Sequence, residues 1–278
     1  MLLHNLKDPL ITICCLTYNH EKYIAEAINS FLMQKTSFEI EIIIHDDAST
    51  DKTQEIIKSL AGNDLRFNLM LRKENIKSKG GMVSPILFNE AKGKYIAMCD
   101  GDDFWTDPYK LQKQVDLLER NKNVACSHNV RIINQENQFS GNYPIMKQYP
   151  HVIKDEVSFK DILTRDIYLH TSSYLFNKKY FKNFPQQFIN KIFGGDRVLL
   201  LHLSSQSNIS YIDEEMSIYR RHESSMTSVD TNLMYKKIFE QDKMIYKYYD
   251  KKYKVEFYKN IITIISKIIS SGNYFHKI

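Results

Sequence analysis

The sequence predicts an α/β protein built on a doubly wound, mostly parallel sheet. Over the first hundred residues, short apolar runs of the kind found in buried parallel strands alternate with amphipathic helical patterns. Polar side chains cluster directly after three of these runs, where open α/β sheets bind ligands. With 278 residues, the chain has room for one large domain and a C-terminal extension.

The composition is that of a globular protein, with 43% hydrophobic and 26% charged residues. Four cysteines without a C-x-x-C pair predict reduced core thiols rather than disulfides or zinc ligands. We see no secretory signal pattern and no apolar run of about 20 residues, the length that a membrane span needs. These features together favour a cytoplasmic protein.

Strands 10–16 and 40–44 open the predicted sheet, and each ends in polar residues. Thr17, Tyr18 and Asn19 follow the first strand, and Asn19 is placed to cap the next helix. That helix is predicted from apolar residues that share one face, namely Ile24, Ala27, Ile28, Phe31 and Leu32. Asp46 and Asp47 follow the second strand, and a second helix ends at Gly62.

The fourth predicted strand, residues 95–99, ends in three carboxylates around one glycine: Asp100, Gly101, Asp102 and Asp103. Oxygen ligands one residue apart suit a hard divalent cation, Mg²⁺ or Mn²⁺, that also holds a diphosphate. Three like charges in so small a space are costly unless a cation relieves them. The alternative is an ordinary polar turn, in which Asp and Gly are common.

Further elements follow to residue 222. We predict a helix that begins at Pro108 with Asp107 as its cap, and an apolar helix opened by Asp196. Residues 134–154 read as a long polar loop. Strands are predicted over residues 67–71, 124–133, 168–176, 209–212 and 216–222.

Residues 231–278 form a basic, aromatic segment with ten lysines against four acidic residues, while the rest of the chain is near neutral. This balance does not indicate a nucleic-acid partner. The segment has a helical pattern, and two interpretations stay open. It is either a helix that docks on the preceding domain or an interfacial anchor that brings the protein to a membrane surface.

With these pieces in place, residues 10–222 resemble the family 2 glycosyltransferases of the GT-A fold, of the type that builds bacterial surface polysaccharides. The resemblance rests on the order and spacing of short motifs, namely Thr17-Tyr18-Asn19, residues 46–51, Asp100-Gly101-Asp102-Asp103 followed by Phe104-Trp105, Gly195-Asp196, and residues 219–222. It implies transfer of a sugar from a nucleoside diphosphate, most simply UDP, to a hydroxyl of a saccharide or lipid-linked saccharide, with inversion and with Mn²⁺ or Mg²⁺.

The resemblance also implies roles for individual residues. Thr17, Tyr18, Asn19, Asp46 and Asp47 would hold the base and ribose of the donor. Asp100 would lie near the ribose and the metal, Asp102 would be the metal ligand proper, and Asp103 would lie beside the donor sugar, with Gly101 among them.

Asp196 matches the acidic residue that takes the acceptor proton, although an Asp at a helix start also serves as a cap. His222 is either a further metal ligand or a solvated histidine. Arg220 and Arg221 carry charges suited to a diphosphate, and one of them is expected to face water.

Two departures from the family pattern leave choices open. The loop after the third strand lacks the family's usual motif, so Arg72 or Lys79 would supply the positive charge near the donor. Trp105 either stacks on a sugar or packs in the interior, and we favour the sugar. Trp105 and Arg221 are therefore the candidate acceptor residues.

The predicted organisation is a catalytic domain over residues 1–230 and a helical extension over 231–278. Within the domain, about 8–105 would bind the nucleotide and about 106–230 the acceptor. A catalytically silent nucleotide-sugar-binding scaffold and a sugar-nucleotide pyrophosphorylase remain alternatives. No G-x-G-x-x-G follows the first strand, which disfavours a dinucleotide dehydrogenase.

Overall fold

The computed structural model describes residues 9–77, 83–134, 136–143, 145–146, 155–189, 195–222, 231–249, 258 and 262. Lys79 and most of residues 250–278 lie outside these ranges. Ten strands form one sheet, and two short strands form a second. The strands are β1 (Ile11–Thr17), β2 (Ile40–Asp46), β3 (Phe67–Leu71), β4 (Tyr95–Met98), β5 (Phe104–Trp105), β6 (Ala125–Ile133), β7 (Phe139–Tyr143), β8 (Ile145–Met146), β9 (Glu156–Val157), β10 (Ile167–Tyr168), β11 (Leu175–Asn177) and β12 (Ile209–Arg220).

The main sheet has the strand order β3-β2-β1-β4-β11-β6-β12-β5, with β7 beside β6 and β9 beside β12. Strands β3, β2, β1 and β4 are parallel to one another. Because β11 is antiparallel to both β4 and β6, and β12 is parallel to β6, six strands run in the same direction. The predicted mostly parallel α/β sheet is confirmed.

Helices cover both faces of this sheet. They are α1 (Ile24–Leu32), α2 (Thr53–Ala61), α3 (Ser84–Glu90), α4 (Lys110–Asn121), α5 (Phe159–Leu163), α6 (Gly195–Ser204) and α7 (Thr231–Tyr249), with short 3-10 helices at Thr171–Ser173, Lys178–Phe181 and Gln186–Phe188. Side chains from α1, α2 and α4 share one core cluster, and those from α3, α5, α6 and α7 share the other. Along β1, Ile11, Ile13 and Cys15 join the first cluster and Cys14 the second, as strand alternation requires. All four cysteines are buried free thiols.

Several predicted elements differ from the structure. Asn19 does not cap α1, because its Oδ1 accepts a hydrogen bond from Thr50 N at 2.8 Å and the helix begins at Ile24. Helix α4 begins at Lys110, two residues after Pro108, with Asp107 Oδ1 accepting from Tyr109 N. Gly62 does end α2, with the positive φ of 49° that favours glycine.

The predicted strands and loop beyond residue 133 also need correction. The predicted loop 134–154 contains β7 and β8. The predicted strand 168–176 is interrupted by a 3-10 turn. The two last predicted strands are one, β12, with irregular register between Ile212 and Ser217. In each case the predicted bounds of a short strand are wrong because pairing with neighbouring strands overrides the local sequence pattern.

Helix α7 docks on the body of the protein. Ile245 is 1% exposed within the core cluster shared with α5 and α6. The ring of Tyr249 lies 5.2 Å from that of Phe159, and Tyr248 lies 5.3 Å from Phe188. For the described residues 231–249, these contacts favour the interpretation that the segment docks on the preceding domain. No helix in the described ranges combines the length and the apolar character that crossing a membrane requires.

Candidate functional site

The carboxyl ends of the parallel strands bring the predicted motifs to one edge of the sheet. Thr17 at the end of β1 lies opposite Asp46 at the end of β2 in the strand register. Asp100 follows β4, the other neighbour of β1. Strand β12 runs in the same direction, so Arg220 and His222 arrive at this edge although they lie more than a hundred residues away in the sequence. The sheet topology therefore assembles a single site.

Three carboxylates form the centre of this site. Oxygen atoms of Asp100, Asp102 and Asp103 all lie within 4.8 Å of one another. Burial, followed by the charge of Asp102, raises the pKa of Asp100 to about 7. Burial and the charges of Asp102 and Asp100 likewise hold the pKa of Asp103 well above its usual range. Three carboxyl groups thus lie close together in a partly buried turn.

Gly101 is explained by its close approach to β1. A Cβ at this position would lie 2.7 Å from Thr17 Oγ1 and 2.8 Å from Thr17 Cβ, closer than real contacts. The backbone N–H of Gly101 donates to Leu16 O at 2.8 Å. Thr17 Oγ1 is buried and has no hydrogen-bond partner among the residues described. Glycine thus lets the acidic turn lie against the end of β1.

Two histidines face the middle carboxylate. His222 Nε2 lies 3.1 Å from Asp102 Oδ2, and His20 Nε2 lies 3.6 Å from the same oxygen. Burial raises the pKa of Asp102. The hydrogen bond from His222 and the charges of both histidines together outweigh this effect, so the net shift of the pKa is downward. His20 was not a predicted site residue. Its position in the sequence, directly after Thr17, Tyr18 and Asn19, could have indicated that it belongs to the site.

This set of groups fits a divalent cation. Carboxylate oxygens suit Mg²⁺ and Mn²⁺, and an imidazole nitrogen suits Mn²⁺ better than Mg²⁺. Burial, and after it the neighbouring carboxylates, raise the pKa values of Asp100 and Asp103, and a bound cation would favour their ionised forms. Asp100, Asp102, Asp103 and His222 are the residues that would hold it, with His20 alongside.

Asp46 and Asp47 both bond to the protein's own groups. Asp46 is fully buried, with Oδ1 accepting from Ser49 N at 2.9 Å and from Gln54 Nε2 at 2.6 Å, and with Oδ2 accepting from the Ser49 hydroxyl. This burial argues against the predicted direct contact of Asp46 with a nucleotide and makes it a support of the turn. Asp47 accepts from the backbone N–H groups of Ile76 and Lys77 at 2.7 and 3.0 Å, which ties the loop after β3 to the site.

Tyr18 and Asn19 lie at the outer rim. The Tyr18 side chain is 44% exposed, so its ring is available to a ligand. Asn19 has a φ of 56° and bonds the turn after β2 through Ser49 and Thr50. It thus holds two strand ends together.

The structure adds a candidate to the two predicted sources of positive charge, Arg72 and Lys79, of which Lys79 lies outside the described residues. Arg72 Nε donates to His45 Nε2 at 3.2 Å, at the end of β3. The charge of Lys77 opposes the rise of the pKa of Asp100, which makes Lys77 a further candidate. Sequence reasoning considered Arg72 and Lys79 and missed Lys77, which is exposed.

The prediction that Trp105 stacks on a sugar is wrong. Trp105 is 1% exposed, its Nε1 donates to Ser172 O at 2.9 Å, and its ring lies 4.9 Å from that of Phe31. As part of β5, it pairs with Ser217 of β12, which turns its ring into the core.

The two arginines that follow Tyr219 divide as expected. Arg220 is 4% exposed, its N–H donates to Asp103 Oδ1 at 3.0 Å, and its guanidinium bonds Glu26 at 2.5 Å. Arg221 is exposed, with its guanidinium 5.7 Å from the Tyr219 ring. Arg220 therefore supports Asp103, and Arg221 remains the arginine that a ligand can reach.

Asp196 lies in the first turn of α6 with an exposed side chain. Its charge is the smallest of the influences that raise the pKa of Asp100, after burial and the charge of Asp102. A mostly apolar cavity adjoins Asp196 and is lined by Ser84, Pro85, Phe88, Met98, Phe181, Phe184 and Leu199. The first turn of α6 thus presents an accessible carboxylate beside this cavity.

Similar solved structures show the class of fold. The TarS protein of S. aureus, solved with UDP-GlcNAc, has a TM-score of 0.64 at 19% identity over 93% of this chain and 71% of its own. The mannosyltransferase PcManGT from Pyrobaculum calidifontis, solved with GDP-Man and Mn²⁺, has a TM-score of 0.61 at 13% identity over 96% and 77%. The fold is GT-A.

Sequence comparisons show the family. A profile described as Glycosyl transferase family 2 matches residues 12–184. An uncharacterised protein of Mycobacterium tuberculosis (strain ATCC 25618 / H37Rv) is 33% identical over 215 residues, 76% of this chain and 59% of that protein. The chondroitin synthase of Pasteurella multocida (strain Pm70) is 32% identical over 142 residues, 50% of this chain and 14% of that enzyme. The chain belongs to glycosyl transferase family 2, and it spans about three fifths of the length of the first of these relatives.

Proposed function

We propose that this protein transfers a sugar from a nucleoside diphosphate, UDP in the first instance, to an acceptor hydroxyl with inversion at the anomeric carbon. The observation that carries the proposal is the acidic turn Asp100–Asp103, buried beside His20 and His222 at the ligand-binding edge of a GT-A sheet. Membership of family 2 and the nucleotide sugars bound to two structural relatives support it.

The donor would lie across the strand ends. Asp100, Asp102 and His222 would hold Mn²⁺ or Mg²⁺ against the diphosphate, and the bound cation would stabilise the charge that develops on the leaving group. Tyr18 at the rim would contact the base, and Lys77, with Arg72 or Lys79, would supply further positive charge. Asp103 would face the donor sugar from a position fixed by Arg220 N.

Asp196 would act as the base. As the acceptor oxygen forms its bond to the anomeric carbon, the carboxylate of Asp196 takes the hydroxyl proton, and the bond from that carbon to the diphosphate oxygen breaks. A single displacement of this kind inverts the anomeric centre. The exposed position of Asp196 at the start of α6 leaves room for an acceptor, with Arg221 as a candidate contact.

The acceptor is proposed to be a saccharide or lipid-linked saccharide, reached from the cytoplasmic side of a membrane. Helix α7 is docked, so any peripheral membrane contact would fall to residues 250–278. With such an acceptor, the protein would take part in polysaccharide synthesis.

Thermal unfolding with nucleotides tests the donor site. We expect UDP with Mn²⁺ to stabilise the wild type by about 2.7 kcal/mol at a hundredfold excess over its dissociation constant. Asp102→Ala should lose this shift, whereas Asp116→Ala, an exposed carboxylate on α4, should retain it. GDP and dTDP, tested in the same way, cover the other classes of donor nucleotide.

Hydrolysis of a UDP-sugar separates catalysis from binding. Asp196→Asn should keep the nucleotide-induced shift and lose most of the hydrolysis rate. A wild type that binds no nucleotide with Mn²⁺ would overturn the donor site. Binding without turnover in any donor tested would instead indicate the catalytically silent scaffold.

A further inference from the structure

The C-terminal helix α7 meets the catalytic body through a buried cluster of three charges. Asp242 is 2% exposed, and its Oδ1 accepts from Arg165 Nη2 at 2.9 Å and from Arg197 Nη1 at 2.5 Å. The side chains of Arg165 and Arg197 are 10% and 13% exposed. We call Arg165, Asp242 and Arg197 the arginine clamp.

One member of the clamp is the sequence neighbour of the proposed base. Arg197 and Asp196 both lie in the first turn of α6, and their side chains diverge: Asp196 is exposed, whereas Arg197 points into the clamp. Arg197 also donates to Leu163 O at 2.9 Å and to Ile162 O at 3.4 Å, at the end of α5. The guanidinium therefore connects the start of α6 to both α5 and α7.

The backbone conformation of Arg165 is a second, independent indication that the clamp constrains the structure. Arg165 has a φ of 57°, a left-handed conformation that glycine or asparagine usually adopts just after a helix. An arginine there is strained, and such strain persists only where the surrounding structure holds it. Here the side chain of Arg165 reaches Asp242, which glycine could not do.

Burial gives the clamp a strong preference for one arrangement. Removing Asp242 would leave two buried guanidinium groups near each other without a counterion. Desolvation, followed by the charge of Arg165, already lowers the pKa of Arg197 to about 10. The start of α6 is thus held by the two carbonyls at the end of α5 and by the carboxylate that α7 supplies.

We propose that Asp242 is a positioning residue for the proposed glycosyl transfer: it acts through Arg197 to fix the first turn of α6 and, with it, Asp196. Helix α7 is then a part of the catalytic unit, and the inference rests on the proposed role of Asp196. A base misplaced by about 1 Å loses rate by up to about a hundredfold while the donor still binds, because the donor is held by other elements.

Three variants in α7 test this assignment. Asp242→Asn removes the charge and keeps the side-chain size, and Asp242→Glu keeps the charge. Ile245→Ala removes buried volume from the same helix and leaves the carboxylate partner of Arg197 in place. Turnover of the donor is measured below the unfolding midpoint of all three variants. We expect Asp242→Asn to lower kcat about ten- to a hundredfold with KM for the donor unchanged, Asp242→Glu to restore part of the rate, and Ile245→Ala to stay near wild type.

Hydrogen exchange supplies a readout that does not depend on activity. Asp242→Asn should accelerate exchange in peptides from the start of α6 and leave β1 and β4 protected, and the melting shift with UDP and Mn²⁺ should persist. Equal kcat in Asp242→Asn and wild type, or unchanged exchange at α6, would overturn the proposal. A wild type that binds none of UDP, GDP and dTDP with Mn²⁺ would defeat the proposed function, whereas the exchange result still decides whether Asp242 holds α6.

Discussion

Two buried clusters of charge in this protein handle the cost of burial in opposite ways. In the acidic turn, Asp100, Asp102 and Asp103 crowd like charges within 4.8 Å. In the arginine clamp, one carboxylate lies between two guanidinium groups. The clamp is balanced by the protein's own groups and holds two elements together. The acidic turn keeps an excess of negative charge, which marks it as the place that a cationic ligand completes.

The largest expected effect comes from breaking the clamp. Asp242→Leu alone should lower the free energy of unfolding by about 3–5 kcal/mol, because it leaves two buried charges unpaired. Adding Arg165→Met and Arg197→Met should recover most of this loss, although the bonds from Arg197 to Ile162 O and Leu163 O are also removed. Urea unfolding measures both. A triple variant as unstable as the single one would mean that packing, rather than charge, holds α7.

Lys110 provides a third case, a buried amine that bonds an uncharged amide instead of a carboxylate. It is fully buried, its Nζ donates to Gln114 Oε1 at 2.7 Å, and it lies 4.1 Å from the Trp105 ring. Burial lowers the pKa of Lys110 to about 7, although the thiols Cys99 and Cys126 and the carboxylate Asp107 act against it. Neighbouring His128 has its own pKa lowered by burial and by Lys110.

The sign of the pH effect follows from the lowered pKa. Between about pH 7 and the ordinary pKa of lysine, the unfolded chain binds more protons than the folded one, so stability rises with pH in this window. From pH 7 to 9, wild type should gain about 1–3 kcal/mol relative to Lys110→Met. Urea unfolding at both pH values measures the gain, with Lys58→Met as an exposed control. A pH-independent difference would show that Lys110 stays charged.

The acidic turn should respond to neutralisation in the opposite direction to the clamp. Asp100→Asn removes a carboxylate whose ionisation is opposed by burial and by the charge of Asp102, so at pH 8 we expect the ligand-free protein to become more stable by about 1 kcal/mol. The same variant should lose most of the stabilisation by UDP and Mn²⁺. Thermal unfolding with and without ligand checks both signs. A variant that is less stable without ligand would show that Asp100 is a structural residue rather than a binding one.

Much of this arrangement could be predicted from the sequence wherever the signal is local to one strand and the residues that follow it. The apolar runs of β1, β2 and β4 and the polar residues after them marked the sheet edge, whereas the roles of Asp102 and Asp196 stay predictions. Trp105 was misjudged because its burial depends on β12, which pairs with it from far along the chain. His20 and Lys77 were missed because their proximity to the acidic turn arises only after folding.

Supporting roles were likewise out of reach. Nothing in the local pattern distinguishes Asp46, which is enclosed by Ser49 and Gln54, from Asp47, which holds the loop after β3. The clamp joins residues 165, 197 and 242, and such long-range pairing leaves no periodic signal. The assignment of residues 8–105 and 106–230 to donor and acceptor remains a prediction about roles.

The position of β11 has a consequence for the order in which the chain can assemble. This short strand lies between β4 and β6, so residues 175–177 supply the hydrogen bonds that join the first four strands to the rest of the sheet. Until they arrive during synthesis, β4 has an open edge of the kind that pairs with other chains. A fragment ending near residue 105 would keep that edge permanently. The nucleotide-binding half is therefore expected to aggregate when expressed alone, and completion of the sheet must wait for a segment made seventy residues later.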